Sequence, residues 1–359
     1  MNNKELILET IQKITPLKQE WFETAKKRLD NLTKPLGSLG RLEDLAQKIC
    51  AIQENDHPTS KNKVIFTLAS DHGITEEGIS AYPQEVTPQM VFNFINQGAA
   101  INVLSKTVNA KVVVVDIGVA QEMPELPGLI NKKIRKGTSN FAKEPAMSRE
   151  EAYQSIATGI ALVEEEIKNG VDLIGTGEMG IGNTTPSSAI TATITDKKVE
   201  QVTGQGTGIP QESLNHKIGV IEIALALHKP NAQDPIDVLS KVGGFEIGGM
   251  AGIMLGAAKN RIPVVIDGFI SGAAALIAHG LCPTVSEYLI PAHRSSEPGH
   301  DAVLKHLGLI PLLDLRMRLG EGTGAALGMF LVEASLKIIN EMATFEQAHV
   351  SEKVEILIK

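Results

Sequence analysis

The run "AKVVVVDIG", residues 110–118, places four consecutive valines before an aspartate and a glycine. A short β-branched run that is apolar on both sides of the pleat fits a strand buried on both faces. Four more runs have the same character: "KVIFTLAS" (63–70), "VDLIGTG" (171–177), "IPVVIDG" (262–268) and "EYLIPAH" (287–293). Helical stretches separate them. Strands apolar throughout and alternating with helices predict an α/β fold with a parallel sheet covered on both faces.

Nearly every run passes directly into a polar or glycine-rich turn: "SDHG", "DIG", "GTGEMGIGNTT", "DGF" and "HRSSEPG". Open α/β sheets bind ligands beyond the carboxyl ends of their strands, so the chemistry is expected along one sheet edge. The two chain ends, 1–60 and 330–359, are helical and are expected to form a small domain beside a large one of residues 61–329. "KPLGSLG" (34–40) interrupts the first of these helical ends.

With 359 residues, the chain suits one large domain and a smaller accessory part. A net charge of −8 argues against general nucleic-acid binding. Cys50 and Cys282 are far apart and have no metal spacing, which fits free thiols in a reducing compartment. The start, "MNNKELILETIQ", lacks the basic and apolar segments of a signal peptide. The most apolar stretch, "IPVVIDGFISGAAALIAHGL", carries Asp267 and three glycines and reads as a strand and a helix. A cytoplasmic location is expected.

"GTGEMG" (175–180) matches G-x-G-x-x-G, and Asp196 follows at about the distance of the ribose-binding acid of a dinucleotide fold. Against that reading, Pro186 falls inside the helix that should start there unless it sits in the first turn. "ITATIT" before Asp196 is also a poor buried strand. A phosphate cradle of another kind fits better. "TGQGTGI" (203–209) is a second glycine-rich turn, followed on a helix by Lys217, which suits one phosphate group or is a solvated helix-start lysine. Gly248, Gly252 and Gly256 recur at four-residue spacing and predict a smooth helix face for close packing. His72 and His293 fall at strand ends without metal-ligand spacing and read as site walls or core histidines.

In "MRLGEGTGAALGMF" (317–330), Glu321 sits between Gly320 and Gly322. Glu178 is likewise flanked by glycine-rich sequence. A carboxylate in an apolar cleft has a raised pKa and can act as a base near neutral pH. The alternative for either glutamate is a helix cap or an ion pair with Arg318.

Taken together, "KPLGSLGRLE", "SDHG", "VDIGVA", "PAMSREEA", "GEMGIGNTTPSSA", "DVLSKVGGFEIGGMAGIMLGAA", "DGFISGAAAL", "YLIPAH" and "MRLGEGTGAAL" resemble the nicotinate-nucleotide–dimethylbenzimidazole phosphoribosyltransferases of cobalamin biosynthesis. They occur in that family's order across nearly the whole chain. The resemblance implies a doubly wound, mostly parallel sheet, a small helical domain from both ends, and a homodimer. It also implies conversion of nicotinate mononucleotide and 5,6-dimethylbenzimidazole to α-ribazole 5′-phosphate and nicotinate, with no metal or organic cofactor.

By the same resemblance, Glu321 is the base that takes the benzimidazole proton. Its glycine neighbours would leave room for a flat ring. Gly177 and Glu178 would lie over the ribose and phosphate, with Gly204, Gly206, Lys217 and Ser295 on the phosphate. Tyr82, Pro83, Gln89 and Leu319 would line the base pocket. The chain departs from some members at Tyr82, where they carry serine, and their glutamine aligns one place from Gln89. Two other functions stay open from the residues alone: an NAD-dependent oxidoreductase using "GTGEMG", and a non-catalytic binder of azole bases.

Overall fold

A computed structural model describes residues 2–206 and 208–351. Thr207 of the second glycine turn and the end of the C-terminal helical part, 352–359, lie outside the described residues.

Six strands form one sheet: β1 (Lys63–Ser70), β2 (Ala110–Gly118), β3 (Leu129–Asn131), β4 (Leu173–Met179), β5 (Val264–Ile266) and β6 (Leu289–Pro291). The order is β3-β2-β1-β4-β5-β6, and every pairing is parallel. Five strands lie where the apolar runs predict them. The edge strand β3 has no such signal, because three residues flanked by prolines and lysines carry no run to read.

Side chains alternate across β1, and each face has its own helix. Leu68 faces the helix Phe245–Lys259, where a side chain on Gly249 would collide with it. Ile65 faces the other way, toward the helix Thr323–Glu341; a side chain on its register partner Gly175 would meet Ile65, Ala325 and Met329. The sheet is therefore doubly wound, as the resemblance implies. Gly248, Gly252 and Gly256 press the helix Phe245–Lys259 onto the helix Arg149–Ile167; side chains there would meet Ser155, Ile156 and Ile160. That is the close packing their spacing predicts.

The chain divides into two compact units, 1–16 with 61–329, and 17–60 with 330–359. The first sixteen residues group with the large unit. Tyr288 Oη donates to the Thr15 carbonyl at 2.7 Å, and Arg261 Nη1 to Thr15 Oγ1 at 3.1 Å. In the smaller unit, the helices Gln19–Asp30 and Arg41–Gln53 bury Ala25, Leu29, Ala46 and Cys50 against Ile339. Lys34 and Glu43, both buried, pair at 2.9 Å across the glycine-rich "KPLGSLG" segment. No described helix is long and apolar enough to cross a membrane.

Candidate active site

The strand order reverses between β1 and β4, and such a switch point opens a crevice at the strand ends. A cleft of about 650 Å³ lies there, within the large unit. Glu178 and Met179 at the end of β4 line it, with Gly180–Thr184 of the turn that follows. Ile79, Ser80, Tyr82, Val86 and Met90 form another part of the lining, and Arg318, Leu319 and Glu321 complete it with Gly206 and Ile270.

Gly175–Met179 belong to β4 itself, so the first glycines of "GTGEMG" make a strand and not a phosphate turn. The turn is Gly180–Asn183, and the helix Thr184–Thr195 starts after it with Pro186 inside the first turn. "ITATIT" is part of that helix, and Asp196 is its left-handed C-cap. The strand that an NAD-dependent reading requires before Asp196 is therefore a helix. The need for glycine is local: a side chain on Gly177 would fall against the Glu321 carbonyl.

Glu321 is 5% exposed. Its φ of 64° lies in the left-handed region, as do those of Gly320 (89°) and Gly322 (99°). Its Oε2 accepts from the Ile101 backbone N–H at 3.1 Å, at the start of the helix Ala100–Thr107. Burial pushes its pKa above the usual carboxylate value, and the Ile101 N–H partly opposes this. The carboxylate thus caps a distant helix while lining the cleft. Arg318 does not neutralise it; its Nη1 donates to the Gly206 carbonyl at 2.6 Å.

Glu178 is also buried, and its pKa is pushed up to about 8 by burial, then by Asp267 and Glu246. Asn183 Nδ2 donates to its Oε2. A carboxyl with that pKa is protonated at neutral pH and offers an O–H donor. A side chain on Gly320 would collide with this group.

The phosphate candidates come together beside the cleft. Lys217 is buried, and its Nζ donates to Thr184 Oγ1 at 2.7 Å and to the Gly204 carbonyl at 3.4 Å. Burial lowers its pKa to about 8, with Glu297 opposing. The Gly206 N–H donates to Glu297 Oε1 at 3.1 Å, and Ser295 Oγ accepts from the Glu297 N–H at 3.3 Å. Ser295 lines a small cavity with Glu178, Thr184, Asp267 and Glu297.

In the base pocket, Tyr82 and Leu319 line the cleft, at 55% and 60% exposure. Pro83 and Gln89 do not line it, and both are solvent-exposed. On the helix Val86–Ile95, Val86 and Met90, four residues apart, face the cleft, and Gln89 is exposed outside its lining. The residue reading missed Thr184, Asp267 and Glu297. The turns "NTT", "DGF" and "SSEPG" held the only signal for them. His72 is fully buried with Nε2 2.9 Å from Glu246 Oε1, a core pair below the Gly180 turn. No group of three metal-ligating side chains occurs among the described residues.

A family model described as phosphoribosyltransferase matches residues 14–350. The nicotinate-nucleotide–dimethylbenzimidazole phosphoribosyltransferase of Roseiflexus sp. (strain RS-1) is 58% identical over 350 residues, covering 98% of this chain and 99% of that one. The protein of the same name from Geobacter sulfurreducens is 55% identical over 347 residues, covering 97% and 99%. The crystal structure of CobT from Thermus thermophilus is 44% identical with a TM-score of 0.90, covering 93% of this chain and 100% of that one.

Proposed function

This chain belongs to the nicotinate-nucleotide–dimethylbenzimidazole phosphoribosyltransferase family, and we propose that its cleft performs the reaction for which those relatives are named. One benzimidazole nitrogen attacks the anomeric carbon of nicotinate mononucleotide. The bond to the pyridinium nitrogen breaks, its electron pair returns to the ring, and nicotinate leaves needing no acid. The other benzimidazole nitrogen must lose its proton, and Glu321 takes it. Direct displacement inverts the anomeric centre and gives α-ribazole 5′-phosphate, for the nucleotide loop of cobalamin.

The observation that carries the role of Glu321 is a buried carboxylate with raised pKa, held in a left-handed Gly–Glu–Gly segment and lining the cleft. General-base catalysis needs such a group within reach of the proton it removes. Glu178, neutral at pH 7, donates its O–H to the ribose. Lys217, the Gly204 and Gly206 turn and Ser295 hold the phosphate, and Tyr82 and Leu319 flank the benzimidazole. Pro83 and Gln89 lie outside this lining.

We infer further that the large unit is the catalytic domain, the smaller unit a helical domain, and the working form a cytoplasmic homodimer. The free, buried Cys50 and Cys282 support a reducing compartment. Exposed Ile223 and Leu227, one turn apart on the helix Gln211–His228, support an apolar contact surface. Incubation with nicotinate mononucleotide and 5,6-dimethylbenzimidazole, followed by chromatography, tests the reaction. Nicotinate and the α-riboside phosphate should appear in equal amounts; failure to form either with folded protein would reject it.

A further inference from the structure

Glu321 stands in a backbone conformation that side chains rarely adopt, between two glycines that share it. Such a residue keeps its place only when its surroundings hold it there. Two buried side chains do so, one at the carbonyl and one at the N–H of the Glu321–Gly322 peptide group. Thr67, fully buried on β1, donates its Oγ1 proton to the Glu321 carbonyl at 2.9 Å. It is the register partner of Gly177, whose missing side chain leaves that carbonyl its space. Asp267, just after β5, is 2% exposed. Its Oδ2 accepts from the Gly322 N–H at 3.0 Å, and its Oδ1 from the Gly324 and Ala325 N–H groups at 2.6 and 3.2 Å.

The segment that carries Glu321 is thus tied to β1 through its own carbonyl and to β5 through the three N–H groups that follow. Thr67 does not line the cleft, and Asp267 reaches only the small cavity beside it with both oxygens already taken by backbone N–H groups, so neither is placed to touch the benzimidazole. We propose that Thr67 and Asp267 are positioning residues, which act on the reaction by holding the Glu321 carboxylate where the benzimidazole proton is removed. This rests on the reading of Glu321 as the base. The competing account makes Asp267 a helix cap for Thr323–Glu341 and Thr67 a strand residue, important for folding alone.

The geometry ranks the substitutions. Asp267→Asn keeps the size, and its oxygen can still receive two N–H groups. Its NH₂ then faces a third N–H, donor against donor, and the segment must shift. Thr67→Val keeps the branched shape and loses only the donor. A displacement of about 1 Å at a reacting group can cost about 100-fold in rate.

The test measures kcat and both KM values for Asp267→Asn and Thr67→Val, each alone and combined with Glu321→Gln, using folded protein under conditions where chemistry limits turnover. Each single variant should lose about 10- to 100-fold in kcat, with KM for nicotinate mononucleotide changed less than about threefold. In the Glu321→Gln background, each should cost less than about threefold, because the group it positions no longer works. Equal losses in both backgrounds, or no loss in either, overturn the proposal and leave the base assignment standing. Glu321→Gln at near wild-type rate rejects the base assignment, and the proposal with it. If Asp267→Asn does not fold, Thr67→Val decides by the same comparison.

Discussion

The Glu321 carboxylate and the Ile101 backbone N–H are 3.1 Å apart, so the start of one helix touches the proposed base of the cleft. The N–H favours the charged form and burial disfavours it more, leaving the pKa above the usual carboxylate value. A base must be unprotonated, so activity rises with pH through that pKa. The acid limb of kcat/KM should therefore lie above that of an ordinary glutamate. Glu321→Gln should abolish this limb and lower kcat by about 10²- to 10⁴-fold, with both substrates still bound. A pH–rate series on the two proteins checks both points.

Glu178 invites the opposite substitution logic. A carboxyl that is neutral up to about pH 8 is well imitated by an amide. Glutamine keeps a donor, and its oxygen can still accept from Asn183. Glu178→Gln should stay within about tenfold of wild-type kcat/KM, while Glu178→Ala should lose about 10- to 100-fold, the worth of a buried hydrogen bond. Equal damage from both would mean that Glu178 works as an ionised carboxylate.

Lys217 sets binding against stability. Its folded pKa of about 8 lies below the ordinary lysine value of 10.5. Holding its charge therefore costs stability throughout the range below about 8, and that cost fades as pH rises to 10.5. At pH 7, Lys217→Met should raise the Tm of the free protein. It should also raise KM for nicotinate mononucleotide about 10- to 100-fold, as expected for a lost charge-assisted bond to phosphate. In the wild type, that KM should climb as pH passes about 8 and the ammonium is lost. The benzimidazole KM should change much less in both experiments.

Tyr82 stands half in solvent at the cleft, where its ring can cover only one side of a bound base. Tyr82→Ser should shift the ratio of kcat/KM between 5,6-dimethylbenzimidazole and a smaller or more polar base by about 1 kcal/mol, the low end of what one pocket contact discriminates. Competition assays with paired bases read the ratio directly, and an unchanged ratio removes Tyr82 from the pocket.

The long apolar runs made β1 and β2 legible residue for residue, because burial on both faces leaves an unbroken signal. β5 and β6 are each three residues long, shorter than the runs around them, since hydrogen bonding stops before the apolar character does. Glu321 was legible as a carboxylate between glycines. Its conformation, and the dependence of that conformation on Thr67, were not, for the two are 254 positions apart and meet through a backbone carbonyl. Asp267 was visible only as a strand-end acid. Its three acceptor bonds lie 55, 57 and 58 positions along the chain. Glycine spacing misled at "GTGEMG", where the same residues serve close approach between backbones and not a turn.

The collisions that side chains would make at Gly177 and Gly320 divide the cleft into two kinds of lining. Around Glu178 and Glu321 the fit leaves no room for a side chain at either glycine, against the Glu321 carbonyl at Gly177 and the Glu178 carboxyl at Gly320, so a substitution at either glycine breaks the arrangement outright. Around Ile79, Tyr82, Val86 and Met90 the lining is ordinary side chains on a loop and a helix, which can be exchanged one at a time. Under selection, the first part is frozen and the second is free to drift. Descendants of such an enzyme can change the ring they accept while keeping the way they remove its proton, and their variation in base preference should map to the Ile79–Met90 segment.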